Sequence, residues 1–237
     1  MKKYFEKLYN KSSFEFFEEI KANLTANKKT FVITANPEIF MKSQNDPEIS
    51  AMLLDDGVTV VADGIGVVKG AEILGVNIAE RIAGVELAEN LLNFGNSSSK
   101  SVFLLGAQQE VLDKLCSVIE TKYPNLTVAG AVNGYVKDKD AVFEEIKKSA
   151  PDIVLVALGV PFQEKLIYKH YKDFKKGIFV GVGGSFDVLS GTKRRAPEFF
   201  IKHNIEWLYR ILKEPKRIKR FYDHNIKFIL KLKTHKN

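Results

Sequence analysis

The sequence predicts an α/β fold: a Rossmann-like, mostly parallel sheet flanked by helices, with a basic amphipathic helical appendage at the C-terminal end. Three observations carry this. Short apolar runs recur along the first part of the chain, helix-period segments lie between them, and positive charge gathers after residue 192. The runs are Thr30 to Thr34, Val58 to Ala62, Ser101 to Leu105, Thr127 to Val132, Ile153 to Leu158 and Gly177 to Val182. Each is short and β-rich, the pattern of a buried strand. Between them, Val111, Leu112, Leu115, Val118 and Ile119 fall three and four apart before the stop at Tyr123-Pro124-Asn125, and Ala141 to Lys148 supplies a helix ahead of Ile153. Strands alternating with helices imply parallel pairing through crossovers, with ligands bound beyond the carboxyl ends of the strands.

Composition narrows the class. At 237 residues, 45% hydrophobic and 27% charged, the chain can bury a sizeable core and is not disordered. The single cysteine, Cys116, makes no internal disulfide and offers no metal-ligand spacing, which points to a reducing compartment; it sits on the apolar face of a helix and reads as packing. Met1 to Ile20 mixes charge with aromatics and lacks the apolar core of a signal peptide. The longest uncharged stretches, Ile153 to Gln163 and Gly177 to Phe186, fall short of the roughly 18 residues of a membrane span. The expected location is the cytoplasm. His170, His203, His224 and His235 are scattered and suggest no metal site.

Residues 193–237 hold 14 Lys and Arg against 4 Asp and Glu, a net charge of +10, whereas residues 1–192 hold 22 against 25. This divides the chain into a body, 1–192, and an appendage, 193–237, with Gly191 to Pro197 at the boundary. The basic residues are interleaved with Phe199, Phe200, Trp207, Leu208, Ile211, Ile218, Phe221 and Tyr222. Such a segment has apolar surface to place as well as charge, and suits an anionic partner: lipid head groups, phosphates or nucleic acid.

Polar residues cluster where the strands end. Thr34-Ala35-Asn36-Pro37-Glu38 follows the first strand, and Asn36 is equally suited to capping a helix or touching a ligand. Asp63-Gly64-Ile65-Gly66 follows the second; Asp63 is the strongest catalytic candidate, with helix capping as its alternative role. Leu158-Gly159-Val160-Pro161-Phe162-Gln163-Glu164 follows the fifth, where the Gln163 amide can both give and accept hydrogen bonds. Gly181-Val182-Gly183-Gly184-Ser185-Phe186-Asp187 is a glycine-rich turn whose N–H groups can cradle a diphosphate. Neither glycine cluster fits G-x-G-x-x-G, and no P-loop is present, so a dinucleotide oxidoreductase and a P-loop NTPase lose ground.

These clusters occur in a recognisable order. Together with Glu80-Arg81-Ile82-x-Gly84, Leu104-Leu105-Gly106, Gly134-Tyr135, Arg195-Ala196-Pro197, Glu206-Trp207-Leu208-Tyr209-Arg210 and Glu214-Pro215-x-Arg217, the chain resembles the WecG/TagA/CpsF glycosyltransferases from about residue 30 to 225. The resemblance implies a metal-independent, cofactor-free, inverting transferase. Such an enzyme moves an N-acetylmannosamine-type sugar from a UDP donor to polyprenyl-diphosphate-linked N-acetylglucosamine, in teichoic acid or other cell-surface polysaccharide synthesis. Asp63 matches the family's catalytic aspartate and, with Thr34, forms the expected catalytic set. Asn36, Arg81, Gln163, Gly183, Gly184 and Asp187 are expected to bind substrate. Arg210, Arg217 and Arg220 match arginines of the family's C-terminal appendage, which docks on an anionic membrane surface and completes the site there. The expected location becomes peripheral, on the inner face of the cell membrane; a homo-oligomer is compatible. A non-catalytic nucleotide-sugar-binding protein and a nucleic-acid-binding module are the alternatives. The second is disfavoured because the aromatics of the basic segment lie in the transferase-like pattern, so no nucleic-acid partner is expected.

Overall fold

The structure, a computed structural model, describes residues 1–234; residues 235–237, His235 among them, and the side chains of Arg217 and Arg220 lie outside the described residues. Six strands form one sheet: β1 (Thr30–Ala35), β2 (Val58–Ala62), β3 (Ser101–Gly106), β4 (Thr127–Val132), β5 (Ile153–Ala157) and β6 (Ile178–Gly181). Every pairing is parallel, in the order β2-β1-β6-β5-β3-β4. The predicted runs coincide with these strands to within one residue at either end.

Side chains alternate across the sheet, and helices cover both faces, so residues of both parities are apolar. Phe31, Ile33, Phe103, Leu105, Val154, Val156 and Phe179 point to one face and pack with Phe5, Phe40, Met52, Phe143 and Ile167. Val32, Val102, Leu104, Ile153, Leu155, Ile178 and Val180 point to the other, against Phe16, Ile20, Leu87, Leu91, Leu115 and Ile119. Because β2, β1, β6 and β5 are consecutive neighbours, the loops at their carboxyl ends, which start at Asp63, Asn36, Val182 and Leu158, adjoin along one edge.

The C-terminal segment has two different destinations. Helices Glu198–Lys202, Glu206–Lys213 and Arg217–Phe221 lie at the surface, with Phe199, Leu212 and Ile218 at least 60% exposed. A π-helical turn, Tyr222–Ile226, then leads into helix Lys227–Thr234, whose Phe228 and Leu232 are fully buried in the core of the body. Phe228 stacks with Phe5 and Phe40, with ring centroids 6.2 Å apart in each pair. The helix lies on helix Ile65–Leu74 at Gly70, where a Cβ would stand 2.8 Å from Leu232 Cδ1 and 3.0 Å from Phe5 Cζ, so only a bare Cα fits. The segment that charge sets apart as an appendage therefore returns to the body, and its last helix is part of the main core.

Candidate active site

Asp63 is placed by backbone rather than by side-chain packing. Its N–H donates to the Ala35 carbonyl at 2.8 Å, extending the β1–β2 ladder one step past the strand. Gly64, at φ 87°, then turns the chain into helix Ile65–Leu74. The Gly84 N–H favours the charged form of the Asp63 carboxyl, as the weakest of the influences on it. Gly84 opens helix Gly84–Ser97, whose own N-cap, Ala83, has no side chain with which to cap it. The positive end of that helix thus acts on the Asp63 carboxyl.

Charges from two further elements surround it. Burial pushes the Asp63 carboxyl up to about 6, while Arg81 and Arg210 draw it down and Glu206 pushes it up again. A partly buried carboxylate with that value is largely ionised at pH 7 and still basic enough to take a proton, the condition for a general base. Arg81 is available to Asp63 because its neighbouring acids are occupied: Glu80 accepts from the Ser13 backbone N–H and hydroxyl, and Glu86 pairs with Arg195. Arg210 is paired with Glu206, four residues earlier on the same helix. The π-helical turn also reaches this corner, since a Cβ on Gly66 would lie 3.1 Å from Asn225 Oδ1 and 2.9 Å from Pro37 Cγ.

The remaining expected residues divide. Thr34 is one strand away from Asp63, but its hydroxyl is buried and donates to the Gly181 carbonyl at 3.2 Å, locking β1 to β6 beneath the site. Asn36 caps helix Pro37–Lys42, its Oδ1 accepting from the Ile39 N–H at 3.1 Å. Gln163 is 1% exposed and ties two loops together. Its Oε1 accepts from the Gly159 N–H at 3.0 Å and the Gly183 N–H at 3.1 Å, and its Nε2 donates to Glu164 Oε1 at 2.7 Å. The amide expected to face a sugar or base is held inside the protein, and the Gly183 N–H expected to cradle a diphosphate is taken by it. Gly184 precedes the short helix Ser185–Leu189, and Asp187 within that helix pairs with Lys193 at 3.4 Å. Arg217 and Arg220 belong to helix Arg217–Phe221, with side chains outside the described residues.

One Asp-x-Asp sequence, Asp138-Lys139-Asp140, qualifies the metal-free expectation, and the structure gives both acids other partners. Asp138 caps helix Lys139–Ser149 through the Ala141 N–H, while Asp140 binds Lys169 at 2.8 Å and His170 at 2.6 Å. Among the described residues no three His, Cys, Asp or Glu side chains group as a metal site, and no helix is long and apolar enough to cross a membrane.

Two further acids are not singled out by the sequence: Glu206, which acts electrostatically on Asp63, and Glu164, which bonds Gln163. Glu206 had one available signal, as an acid inside a strongly basic segment; Glu164 had none, because a helix-borne glutamate is ordinary.

A parallel α/β sheet with a carboxyl at its carboxyl edge on which two arginines act is an arrangement that suits group transfer on an anionic substrate. The sequence model of the Glycosyl transferase WecG/TagA/CpsF family matches residues 7–237, and the chain belongs to that family; it is a glycosyltransferase. It is similar to the N-acetylglucosaminyldiphosphoundecaprenol N-acetyl-beta-D-mannosaminyltransferases of three bacteria. Identity is 41% with that of Bacillus spizizenii, over 83% of this chain and 76% of the relative. It is 37% with that of Bacillus subtilis, over 87% and 80%, and 39% with that of Staphylococcus aureus strain MW2, over 89% and 84%.

Proposed function

We propose that the protein transfers N-acetylmannosamine from a UDP donor to N-acetylglucosaminyl-diphosphoundecaprenol, with inversion, at the inner face of the cell membrane, for synthesis of a cell-surface polymer. The acceptor and sugar follow the names of the relatives. The carrying observation is Asp63 at the end of β2, raised to about 6 by burial and drawn down by Arg81 and Arg210. Asp63 takes the proton from the acceptor hydroxyl as that oxygen attacks the anomeric carbon. The bond from that carbon to the diphosphate breaks on the opposite face, which inverts the centre. Negative charge grows on the leaving diphosphate, and Arg81 and Arg210 supply the cations to meet it. Arg217 and Arg220 follow on the next helix and belong to the same proposal.

Location at the membrane is supported by the surface helices. Phe199, Leu212, Ile218 and Tyr222 are each more than half exposed, within a stretch that also carries Lys202, Lys213, Lys216 and Lys219. Apolar tips among lysines suit the boundary between head groups and acyl chains of an anionic bilayer. Incubation with a panel of UDP-sugars and a polyprenyl-diphosphate-GlcNAc analogue, with products weighed by mass spectrometry, tests the reaction; binding without transfer to any acceptor would leave only a nucleotide-sugar-binding protein. For the membrane, replacing Leu212 and Ile218 together with Glu should release the protein from acidic vesicles, and salt should weaken binding of the parent. Unchanged sedimentation with vesicles would remove this surface from the reading.

A further inference from the structure

Arg195-Ala196-Pro197, at the boundary between the body and the C-terminal segment, has no part in the chemistry of Asp63, yet its arginine is only 25% exposed. The chain reaches it from helix Ser185–Leu189 by folding back. Gly191, at φ 74°, reverses the direction, and the Lys193 N–H closes the turn on the Asp187 carbonyl at 2.8 Å. One end of the Arg195 guanidinium then pairs with Glu86, in the first turn of helix Gly84–Ser97. Its Nε is buried and has no hydrogen-bond partner among the described residues.

Arg195 lines a cavity of about 130 Å³ between helices Gly84–Ser97, Gln109–Lys122 and Ser185–Leu189. Leu92, Leu115 and Tyr123 form its inner wall, each no more than 3% exposed. Val118, Val188 and Leu189 line it nearer the surface and are half-buried. Glu89 and Lys122 reach solvent and pair with each other at 3.2 Å. None of the residues expected to bind substrate is in this lining.

Each property of the lining selects among ligands. The volume is close to that of a cavity that takes one benzene-sized molecule, and the apolar walls favour hydrocarbon. A buried N–H in such surroundings gains from an accepting oxygen. Charge points the same way. Arg195 and Lys122 are already matched by Glu86 and Glu89, so an anionic head group would meet as much repulsion as attraction.

We propose that this cavity is a binding site for a small, neutral, mostly hydrocarbon molecule with one hydrogen-bond-accepting oxygen, such as a ketone, ester or ether of about the size of benzene, whose oxygen accepts from Arg195 Nε. The competing account is that Arg195 only ties the boundary segment to helix Gly84–Ser97, with water on its Nε.

The test uses the full chain labelled with nitrogen-15 and carbon-13, with the Arg195 Nε–H resonance assigned by its loss in Arg195→Lys. Cyclopentanone, benzene and butyrate are the probes. Cyclopentanone should move the Nε–H resonance saturably, with a Kd of about 1–10 mM. Arg195→Lys keeps a cation opposite Glu86 but removes the Nε–H. It should weaken cyclopentanone about 3-fold to 10-fold while benzene, followed through the Leu115 methyl groups, binds as before. Butyrate should bind more weakly than cyclopentanone, and Val118→Phe, which fills the outer part of the cavity, should abolish binding of both neutral probes. A resonance that cyclopentanone leaves unmoved, with a cross-peak to water alone, overturns the proposal. So does equal weakening of benzene and cyclopentanone in Arg195→Lys, or tighter binding of butyrate than of cyclopentanone. Retained binding in Val118→Phe places the probes elsewhere and overturns it as well.

Discussion

The carboxyl edge of the sheet carries two polar clusters made from the same kinds of residue. At the end of β2, Asp63 follows a buried strand and meets a glycine turn; after β5, Gly159 turns the chain toward helix Phe162–Tyr171, whose first turn carries Gln163 and Glu164. Their fates are opposite. Asp63 is a half-buried residue whose carboxyl burial raises and arginines from two other segments draw down. Gln163 and Glu164 are 1% and 0% exposed, bond each other, and hold the Gly159 and Gly183 loops in place. A polar residue at a strand end is therefore not by itself a site. What distinguishes the two is where the partners come from: residues of distant segments act on Asp63, whereas Gln163 and Glu164 bond each other and the neighbouring loops, leaving Glu164 Oε2 without a hydrogen-bond partner among the described residues.

The sharpest test of that distinction is Asp63→Asn. It should lower kcat/KM by about 10² to 10⁴-fold, the range for a general base, while leaving the melting temperature unchanged or higher, because a neutral amide no longer places charge in a desolvating corner. A large loss of stability would instead make Asp63 a structural cap. Gln163→Leu should behave in the reverse way. It strands two buried N–H groups, at about 1–3 kcal/mol each, and should lower the melting temperature by several degrees in differential scanning calorimetry, by about 2–4 °C per kcal/mol. Normal stability in that variant would break the contrast.

Glu164→Gln offers the smallest and most specific effect. Burial raises the Glu164 carboxyl from 4.5 to about 7, Gln163 and Lys42 oppose this, Glu38 reinforces it, and Oε2 has no hydrogen-bond partner. A carboxyl whose folded value lies above its unfolded value stabilises the protein when protonated. The contribution is complete below about pH 4.5 and is lost as pH rises through about 7, amounting to roughly 3 kcal/mol if fully expressed. Wild-type stability should therefore decline between pH 5 and 8 more steeply than that of Glu164→Gln, which has no proton to lose there. Parallel urea unfolding curves at pH 5, 6.5 and 8 would show whether the two diverge; an identical decline would mean that Glu164 is ionised throughout.

Residue spacing and local chemistry determined the strands, their burial on both faces and the position of Asp63, because those depend on the period of the chain and on turn residues next to it. They also identified Gln163 while leaving its role open, since an amide that accepts from two loops looks the same in sequence as one aimed at a ligand. Only the tertiary structure decided which partners each side chain has. Glu206 and Asp63 are separated by more than a hundred residues, and nothing local indicates that the charge of one acts on the other. Phe228 and Leu232 lie in the most basic part of the chain, and composition assigns them to a surface appendage, yet they complete the core beside Phe5 and Phe40. Charge and hydropathy are properties of a segment, whereas packing depends on which other segment arrives at the same place, as the bare backbone of Gly70 receives Leu232.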